Sequence, residues 1–480
     1  MKERGLLLDA LTRSKRGKTR EGSMEVPVIY PSCCGIDVHK KMLVACVIVV
    51  RGQETCRDIR TFGTTWSELC RLVEWLQEVG CTQVAMESTG VYWHPVFNAL
   101  EAHFPVMIVN AQHLKNVPGR KTDIQDAQWI AYCLQLGLLR PSFIPSRPQR
   151  ELRELTRGRK SLIEDQARTT NRIEKVLEGT NSKITSVISD IMGLSGRKML
   201  RALIDGEQDL QKIARMALGK LRKKEEQLIE ALAGNFTDHH RFLLRQLLRQ
   251  WEEQEAHIRA YDQEISRRLG EPPEQEAADA APEACQPVST AQQESLSPTS
   301  EASFVQTAPP LPGYEGYANI IKLLDGVTGI NLRAAQVLVA ECGIDMHRFP
   351  TDKHFASWLG VCPNNQVSAG KRLKAKSGKG NRHARSILVQ AAQGVAKSKG
   401  TYLRALYERY KARMGHKQAI MAIAHHLAII IYHMIKKQEA YREEGPEEAD
   451  ERLQEMRKRR AMQQLKDLGY DVSLQPAQSA

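Results

Sequence analysis

Four carboxylates in the first third of the chain have the types and spacing needed for metal chemistry. Asp37 stands in GIDVHK inside a short apolar segment, and Glu87 stands in AMESTG at the end of another. Asp123 and Asp126 lie three residues apart at the start of a helical pattern, a spacing that puts both side chains on one helix face. Carboxylates that crowd together repel one another unless a cation joins them, and their oxygens suit Mg²⁺. The four acids predict a divalent-cation site for phosphoryl transfer.

The elements around these acids predict how they meet. Apolar segments at 35–38, 42–50 and 54–62 predict three neighbouring strands. Helical and strand patterns then alternate, with helices at 65–78, 93–102 and 123–135 and strands at 83–86 and 106–109. This is the order of an RNase H-like α/β domain of the RuvC-like type, in which the first and fourth strands are adjacent. Asp123 alone also suits a plain helix N-cap, whereas Asp37 inside a strand has no such ordinary explanation.

A serine and a basic segment form a second group of candidates, in the C-terminal third. Ser368 stands in NNQVSAG, directly before KRLKAKSGKGNRHAR at 371–385, which contains no acid. Basic side chains neutralise nucleic-acid phosphates, and a serine beside them is a candidate nucleophile on phosphorus. On chemistry alone, a turn serine and a solvated charge run explain the same residues. The candidate nucleic-acid contacts are Lys371, Arg372, Lys374, Lys376, Lys379, Arg382 and Arg385, with Arg120 and Lys121 beside the helical acids.

Composition agrees with a nucleic-acid partner. The 480 residues carry a formal net charge of +13. The segment 270–312 has seven acids and no Lys or Arg, so subtracting its −7 leaves +20 on the rest of the chain. A surplus of this size is typical of proteins that bind a polyanion. The ten cysteines lack zinc-site spacing and indicate a reducing compartment. Since no run of 18 apolar residues occurs and no secretory signal is recognised, we expect a cytoplasmic protein with no membrane span.

The same patterns predict six segments. They are a disordered basic lead-in (1–30), the carboxylate domain (31–147), a helical region (148–269), a flexible acidic linker (270–313), a mostly α-helical C-terminal domain (314–438) and a charged tail (439–480). The apolar segment 419–435 is expected to be a buried helix. In the helical region, Leu244, Trp251, Ile258 and Ile265 repeat every seven residues, a short coiled-coil signature. An intramolecular helical hairpin and a dimer seam explain it equally well.

Several longer motifs resemble one known family. GIDVHK, AMESTGVYW, VNAQHLKNVPGRKTDIQDAQWIA and GLLRPSFIP are similar to the N-terminal DEDD domain of insertion sequence 110 transposases. FASWLGVCPNNQVSAGK and GNRHARSILVQAA are similar to the C-terminal domain of the same family, and the wording CPNNQVSAGK favours its 1111 subgroup. The resemblance covers roughly residues 33–180 and 314–435, in the family's order.

The resemblance carries implications that spacing alone does not. It implies that Asp37, Glu87, Asp123 and Asp126 hold Mg²⁺ or Mn²⁺, and that Ser368 forms a covalent phosphoserine link to DNA. It implies a composite active site, in which the carboxylates of one protomer meet the serine of another, and hence a homo-oligomer, dimer or tetramer. It implies donor and target DNA as substrates, a non-coding bridge RNA that base-pairs with both, and a bacterial, nucleoid-associated location.

Two other functions remain open at this level. One is a RuvC-like junction endonuclease that uses metal-activated water, which would leave no covalent adduct at Ser368. The other is a non-enzymatic nucleic-acid scaffold, which would tolerate substitution of Asp37 or Glu87. The presence of all four acids argues against the scaffold.

Overall fold

The computed structural model describes residues 28–52, 54–88, 90–110, 126–270, 309–362, 367–368, 371–372, 378 and 380–442, with short pieces at 458–459, 461–467 and 469. Nearly all of the predicted lead-in and acidic linker, and most of the predicted tail, lie outside these residues. The chain forms two compact units, Met1–Pro145 and Ser146–Ala480.

The first unit is a mixed sheet with helices. Its elements are β1 (Ser32–Val38), β2 (Met42–Arg51), β3 (Glu54–Gly63), α1 (Trp66–Glu78), β4 (Gln83–Glu87), α2 (Trp93–Leu100), β5 (Val106–Val109) and α3 (Asp126–Gln135). The sheet order is β3-β2-β1-β4-β5. β1 to β3 are antiparallel neighbours, whereas β4 runs parallel to β1 and β5 parallel to β4. This order confirms the predicted RNase H-like fold.

Helix α3 lies directly on β1, in the opposite direction. Gly35 permits the contact, because a Cβ at this position would lie 2.2 Å from the backbone nitrogen of Ala131 and 2.4 Å from the carbonyl oxygen of Ala127. The C-terminal end of α3 meets the start of β1, where the carbonyl of Gln135 accepts from the backbone nitrogen of Ile29 at 2.9 Å. The N-terminal end of α3 therefore points towards the end of β1.

We expect Gly35→Ala to destabilise the first unit by about 3 kcal/mol, because backbone atoms of α3 must move away to admit the methyl group. Urea unfolding, with hydrogen exchange to localise the loss to the first unit, measures this. Gly179→Ala is the control: it lies in a helix with open space around its Cβ, and should be neutral or slightly stabilising. Equal stability of the two variants would contradict the packing argument.

The second unit is mainly helical. Its elements are α4 (Arg147–Gly179), α5 (Ile184–Val187), α6 (Leu194–Asp205), α7 (Leu210–Ala214), a 3₁₀ helix (Gly219–Lys224), α8 (Glu225–Leu232), α9 (Asp238–Leu269), α10 (Glu315–Asp325), α11 (Leu332–Cys342), α12 (Asp352–Trp358), the two-residue strands β6 (Val367–Ser368) and β7 (Lys371–Arg372), α13 (Arg382–Val395), α14 (Tyr402–Met414) and α15 (His416–Lys437).

The heptad pattern belongs to an antiparallel helical hairpin within the chain. Near one end of the pair, Arg268 of α9 contacts Glu151 of α4 at 2.5 Å, and further along Trp251 Nε1 donates to Thr170 Oγ1 at 3.1 Å. All four heptad residues are buried in the monomer. The intramolecular alternative therefore accounts for the pattern, and these positions give no support to a dimer seam.

The helices after the linker pack around α15. Among the described helices, α15 is long and apolar enough to cross a membrane by length and composition, but more than half of its most apolar stretch is buried within the unit. Ile423, Leu427 and Ile431 on α15 are fully buried in the core it shares with α11, α12 and α13. The prediction of a buried helix at 419–435 is confirmed.

Candidate active site

Three of the four predicted carboxylates converge at one edge of the sheet. Ile36 of β1 pairs with Met86 of β4 in a parallel register, so the next residues, Asp37 and Glu87, lie side by side at the carboxyl ends of adjacent strands. Asp126 is the first residue of α3, whose N-terminal end points to the same place. The carboxylate of Asp37 is 17% exposed, so the acids are accessible from this edge.

Asp37 has a partner that the sequence analysis did not single out. His39 Nε2 lies 3.1 Å from Asp37 Oδ2, and the imidazole is 59% exposed. Two residues apart on an extended chain, Asp37 and His39 point to the same face, a signal that was visible in GIDVHK. The histidine orients one carboxylate oxygen, and a cation bound at that oxygen would compete with it.

The donor atoms at this edge suit a hard divalent cation. All three described candidates offer carboxylate oxygens, the ligands that Mg²⁺ prefers. No group of three acidic, histidine or cysteine side chains among the described residues is close enough to hold an ion, and Asp123 lies outside the described residues, as do Arg120 and Lys121. Asp37, Glu87 and Asp126 thus supply the right chemistry from converging elements without forming a closed ligand shell.

Nearby cysteines do not offer a softer metal site. Cys33, Cys46 and Cys133 are fully buried in the core between the sheet and α3. Burial raises the pKa of Cys33 and of Cys133 to about 12, and that of Cys46 to about 11. Since the thiolate is the form that binds metals, these cysteines act as small apolar packing residues, as their sequence context indicated.

Ser368 lies in a short hairpin of the second unit. It is paired with Lys371, and Val367 with Arg372, so two positions separate the paired strands. The sequence analysis described Ser368 as a turn serine but predicted no strands here, so it missed the hairpin. Lys374, Lys376 and Lys379 lie outside the described residues. Of the remaining predicted contacts, Arg382 is exposed at the start of α13.

The described residues on the two sides of the segment that carries Ser368 contact each other, and we call this contact the neck. Gly360 and Gly380 touch there: a Cβ on Gly380 would lie 2.4 Å from the backbone nitrogen of Gly360. The backbone nitrogen of Asn381 donates to the carbonyl of Trp358 at 3.0 Å, and Arg385 Nη1 donates to the carbonyl of Gly378 at 3.2 Å. Residues on both sides of the basic segment are therefore held together.

A buried ionic network supports this neck. The carboxylate of Glu341, on α11, is fully buried. Arg157 donates to both of its oxygens, at 2.7 and 2.9 Å, Arg153 lies 3.3 Å away, and Asn381 Nδ2 donates to Oε2 at 2.8 Å. The side-chain oxygen of Asn381 also caps α13. Burial acts to raise the pKa of Glu341, but these hydrogen bonds and positive charges outweigh it, and the pKa is lowered. The sequence analysis missed Glu341.

Two family models match the two parts of the chain that carry these sites. A model described as "Transposase", for the DEDD domain of IS110 elements, matches residues 34–182. A model described as "Transposase IS116/IS110/IS902 family" matches residues 321–408. In both matched ranges the chain is similar to IS110-type transposases. The first match contains all four predicted acids, and the second contains Ser368, Glu341 and Asn381.

Two curated relatives that this chain resembles are also transposases by name. One is a "Probable family 20 transposase" of Pseudomonas aeruginosa, 29% identical over 26% of this chain and 38% of its own length. The other is the "Transposase for insertion sequence element IS1111A" of Coxiella burnetii, 28% identical over 25% of this chain and 34% of its own length. The chain thus spans little more than a third of these relatives in the matched regions.

A solved structure described as "Thermus thermophilus RuvC structure" is similar to this chain at 18% identity. The match covers 23% of this chain and 99% of that chain, with a TM-score of 0.18. At that score the likeness carries no weight, and the fold assignment rests on the sheet order.

Proposed function

We propose that this chain is a transposase that cuts and rejoins the DNA of an insertion sequence by phosphoryl transfer. The observation that carries the proposal is the convergence of Asp37, Glu87 and the N-terminal end of α3 at one exposed edge of an RNase H-like sheet. A buried cluster of acids would be costly without a cation, whereas acids at an accessible edge can hold one against a phosphate.

The carboxylates are the cation ligands in this proposal. Asp37, Glu87 and Asp126, with Asp123, would hold Mg²⁺, or Mn²⁺ in its place. The bound cation would stabilise the negative charge that develops on the phosphate oxygens. His39 orients one oxygen of Asp37. The close contact between β1 and α3 at Gly35 holds the start of α3, and with it Asp126, at a fixed position relative to Asp37.

Ser368 is the nucleophile. Its hydroxyl oxygen attacks a DNA phosphorus and forms a serine–phosphate ester, while the bond from that phosphorus to one deoxyribose oxygen breaks. The serine proton ends on the departing deoxyribose hydroxyl, so the step is a transesterification that needs no oxidant or nucleotide. The reverse attack by a different DNA hydroxyl releases the serine and rejoins the strands. The surrounding Lys and Arg residues stabilise the charge on the phosphate.

The remaining partners follow from the charge and from the family. We propose that Lys371, Arg372, Arg382, Arg385 and the other basic candidates contact phosphates of donor and target DNA. A bridge RNA selects these DNAs in this proposal, as the likeness to the IS1111A transposase and the 1111-type wording favour. The protein acts as a dimer or tetramer with a composite site, in the bacterial cytoplasm at the nucleoid. We also propose the six predicted segments as its domain plan.

Trapping the covalent intermediate tests the function. The purified protein is incubated with the ends of its element, the flanking RNA and Mg²⁺, and analysed on a denaturing protein gel for a labelled DNA adduct. We expect an adduct from the unmodified protein, none from Ser368→Ala, and an undiminished adduct from Ser377→Ala, which removes a serine from the same basic segment.

The opposite outcome is equally clear. Cut DNA without an adduct, unchanged by Ser368→Ala but lost with Asp37→Asn, would replace the transposase with the water-using endonuclease. Activity that survives both substitutions would indicate a nucleic-acid scaffold with a contaminating nuclease.

A further inference from the structure

The carboxylate edge of the sheet carries exposed aromatic and basic side chains that the proposed chemistry does not use. Trp66 is 69% exposed at the start of α1, and Tyr92 is 40% exposed just before α2. Between them, Lys40 and Lys41 are exposed in the turn from β1 to β2. The turns after β1, β3 and β4 all lie at this edge, because these three strands run in the same direction.

Hydrogen bonds hold the basic turn against the start of α1. The backbone nitrogen of His39 donates to the carbonyl of Met42 at 2.9 Å, which closes the turn. Thr64 Oγ1 donates to the carbonyl of Lys40 at 3.1 Å, and Met42 is paired with Gly63 across the strands. Trp66, two residues beyond Thr64, therefore lies beside the lysine turn on a fixed backbone.

The exposure of Trp66 is not required by the packing of α1. The helix buries Leu69, Leu72 and Leu76 against the sheet, and its other tryptophan, Trp75, is only 3% exposed. A single exposed apolar residue is ordinary. Here, however, Trp66 and Tyr92 follow β3 and β4, so along the edge they lie on either side of the lysine turn that follows β1. Aromatic side chains that alternate with basic ones are typical of surfaces that stack unpaired bases and contact phosphates.

The charges of this edge favour a nucleic acid as the occupant. The described residues of the three turns include Lys40 and Lys41 and no acid. Of the acids next to these turns, Asp37 and Glu87 are assigned to the cation, and Glu68 on α1 is paired with Arg71 at 2.6 Å. A protein partner would have no reason to need two lysines beside two flat aromatic rings at a cation site. An unpaired nucleotide offers a π-face to the ring and a phosphate to the lysine.

We propose that Trp66 and Tyr92 are stacking sites for unpaired nucleotides on the two sides of the lysine turn, with Lys40 and Lys41 on the phosphates between them. β3 and β1 are two strands apart, so Trp66 stands about 10 Å from the end of β1. Stacking on these two rings would keep the nucleic-acid strand unpaired where it crosses this edge of the sheet. The proposal rests on the proposed function only in taking this edge as the path of the nucleic acid.

Binding without chemistry tests the platform. The full chain is titrated, in EDTA, into a labelled duplex with a short single-stranded gap and into the same duplex fully paired, with DNA and RNA versions of the gapped strand. Trp66→Ala should weaken binding to a gapped strand about 10-fold and leave the paired duplex nearly unchanged, which is the scale of one lost stacking contact. Tyr92→Ala should act in the same direction.

Two further variants separate stacking from a folding defect. Trp66→Phe keeps an aromatic face and should restore most of the affinity for the gapped strand. Phe242→Ala removes an aromatic that is 55% exposed on α9 of the second unit, and should change neither affinity.

The outcomes decide the proposal independently of the proposed function. Equal affinity of Trp66→Ala and the unmodified protein for every gapped strand, or an equal loss on gapped and paired duplexes, would overturn the stacking site. Selective loss on the DNA gap or on the RNA gap supports it and identifies the polymer. Failure to form a Ser368 adduct would leave these EDTA measurements untouched and would count against the transposase chemistry alone.

Discussion

Asp37→Asn should lower the rate of DNA cutting on the order of 1,000-fold, the scale of loss when a group that stabilises transition-state charge is removed. The substitution keeps the size of the side chain but removes the negative oxygen that would hold the cation. DNA affinity in EDTA should not fall, because a negative charge beside the phosphate path is lost. Single-turnover cleavage of labelled element ends, beside a binding titration, measures both quantities.

The stability of the same variant separates a ligand role from a structural one. Without divalent cations, Asp37→Asn should be at least as stable as the unmodified protein, since it relieves repulsion between neighbouring carboxylates. Added Mg²⁺ should stabilise the unmodified protein against urea, because a cation that binds only the folded state adds to its free energy of unfolding. It should stabilise Asp37→Asn much less.

A matched control lies in the same sheet. Asp58 on β3 is exposed and contacts Arg60 at 3.1 Å, so Asp58→Asn makes the same change in charge away from the carboxylate edge. It should retain normal cutting and the normal response to Mg²⁺. If the two variants lose activity equally, or if Asp37→Asn cuts DNA normally, Asp37 is not a ligand of the catalytic cation.

The first unit was predictable because its information is local. Strand segments of β-branched and apolar residues, broken by polar turns, produced the element order, and that order determined which strands become neighbours. Asp37 and Glu87 could therefore be brought together without coordinates. The closeness of α3 to β1 could not, because Gly35 is one small residue in a strand and its partners, Ala127 and Ala131, lie more than 90 residues away.

The second unit was less predictable because its decisive contacts are long-range. A heptad pattern states which helix face is apolar but not what covers it, so the hairpin with α4 and a dimer seam could not be separated. Glu341 stands in the helix segment LVAEC, where an isolated acid is ordinarily solvent-facing. Its partners Arg153 and Arg157 precede it by more than 180 residues, beyond the reach of any local pattern. β6 and β7 are only two residues long, too short for a period-two signal.

Glu341→Gln should destabilise the second unit by about 3–5 kcal/mol, the cost of breaking a buried ion pair from one side. The amide keeps the shape but leaves the guanidinium groups of Arg153 and Arg157 without a buried counter-charge. Urea unfolding, with hydrogen exchange of α11 and α13 to localise the effect, measures the loss. Glu408→Gln is the control, because Glu408 forms exposed ion pairs on α14, and should change stability by less than about 1 kcal/mol.

The pH dependence of that difference identifies the charge as its cause. The pKa of Glu341 is lowered from 4.5 in the folded protein, so its carboxylate stabilises the fold above the pKa of the unfolded chain. That contribution is lost as the pH falls through the lowered folded value. The gap between the unmodified protein and Glu341→Gln should be constant near neutral pH and shrink below about pH 4.5. A gap that stays constant into acid would mean that shape, not charge, sets the cost.

The same variant connects stability with chemistry. Asn381 donates to Glu341 and caps α13 at the neck of the segment that carries Ser368. Glu341→Gln should therefore slow the formation of the DNA adduct at Ser368, even at neutral pH without urea, where the protein remains folded. Asn381→Ser retains a capping oxygen but is too short to reach Glu341, and should show the same slowing with a smaller loss of stability. Slowing in both variants would make the network a positioning device for the serine segment, whereas normal adduct rates in both would confine it to holding α4, α11 and α13 together.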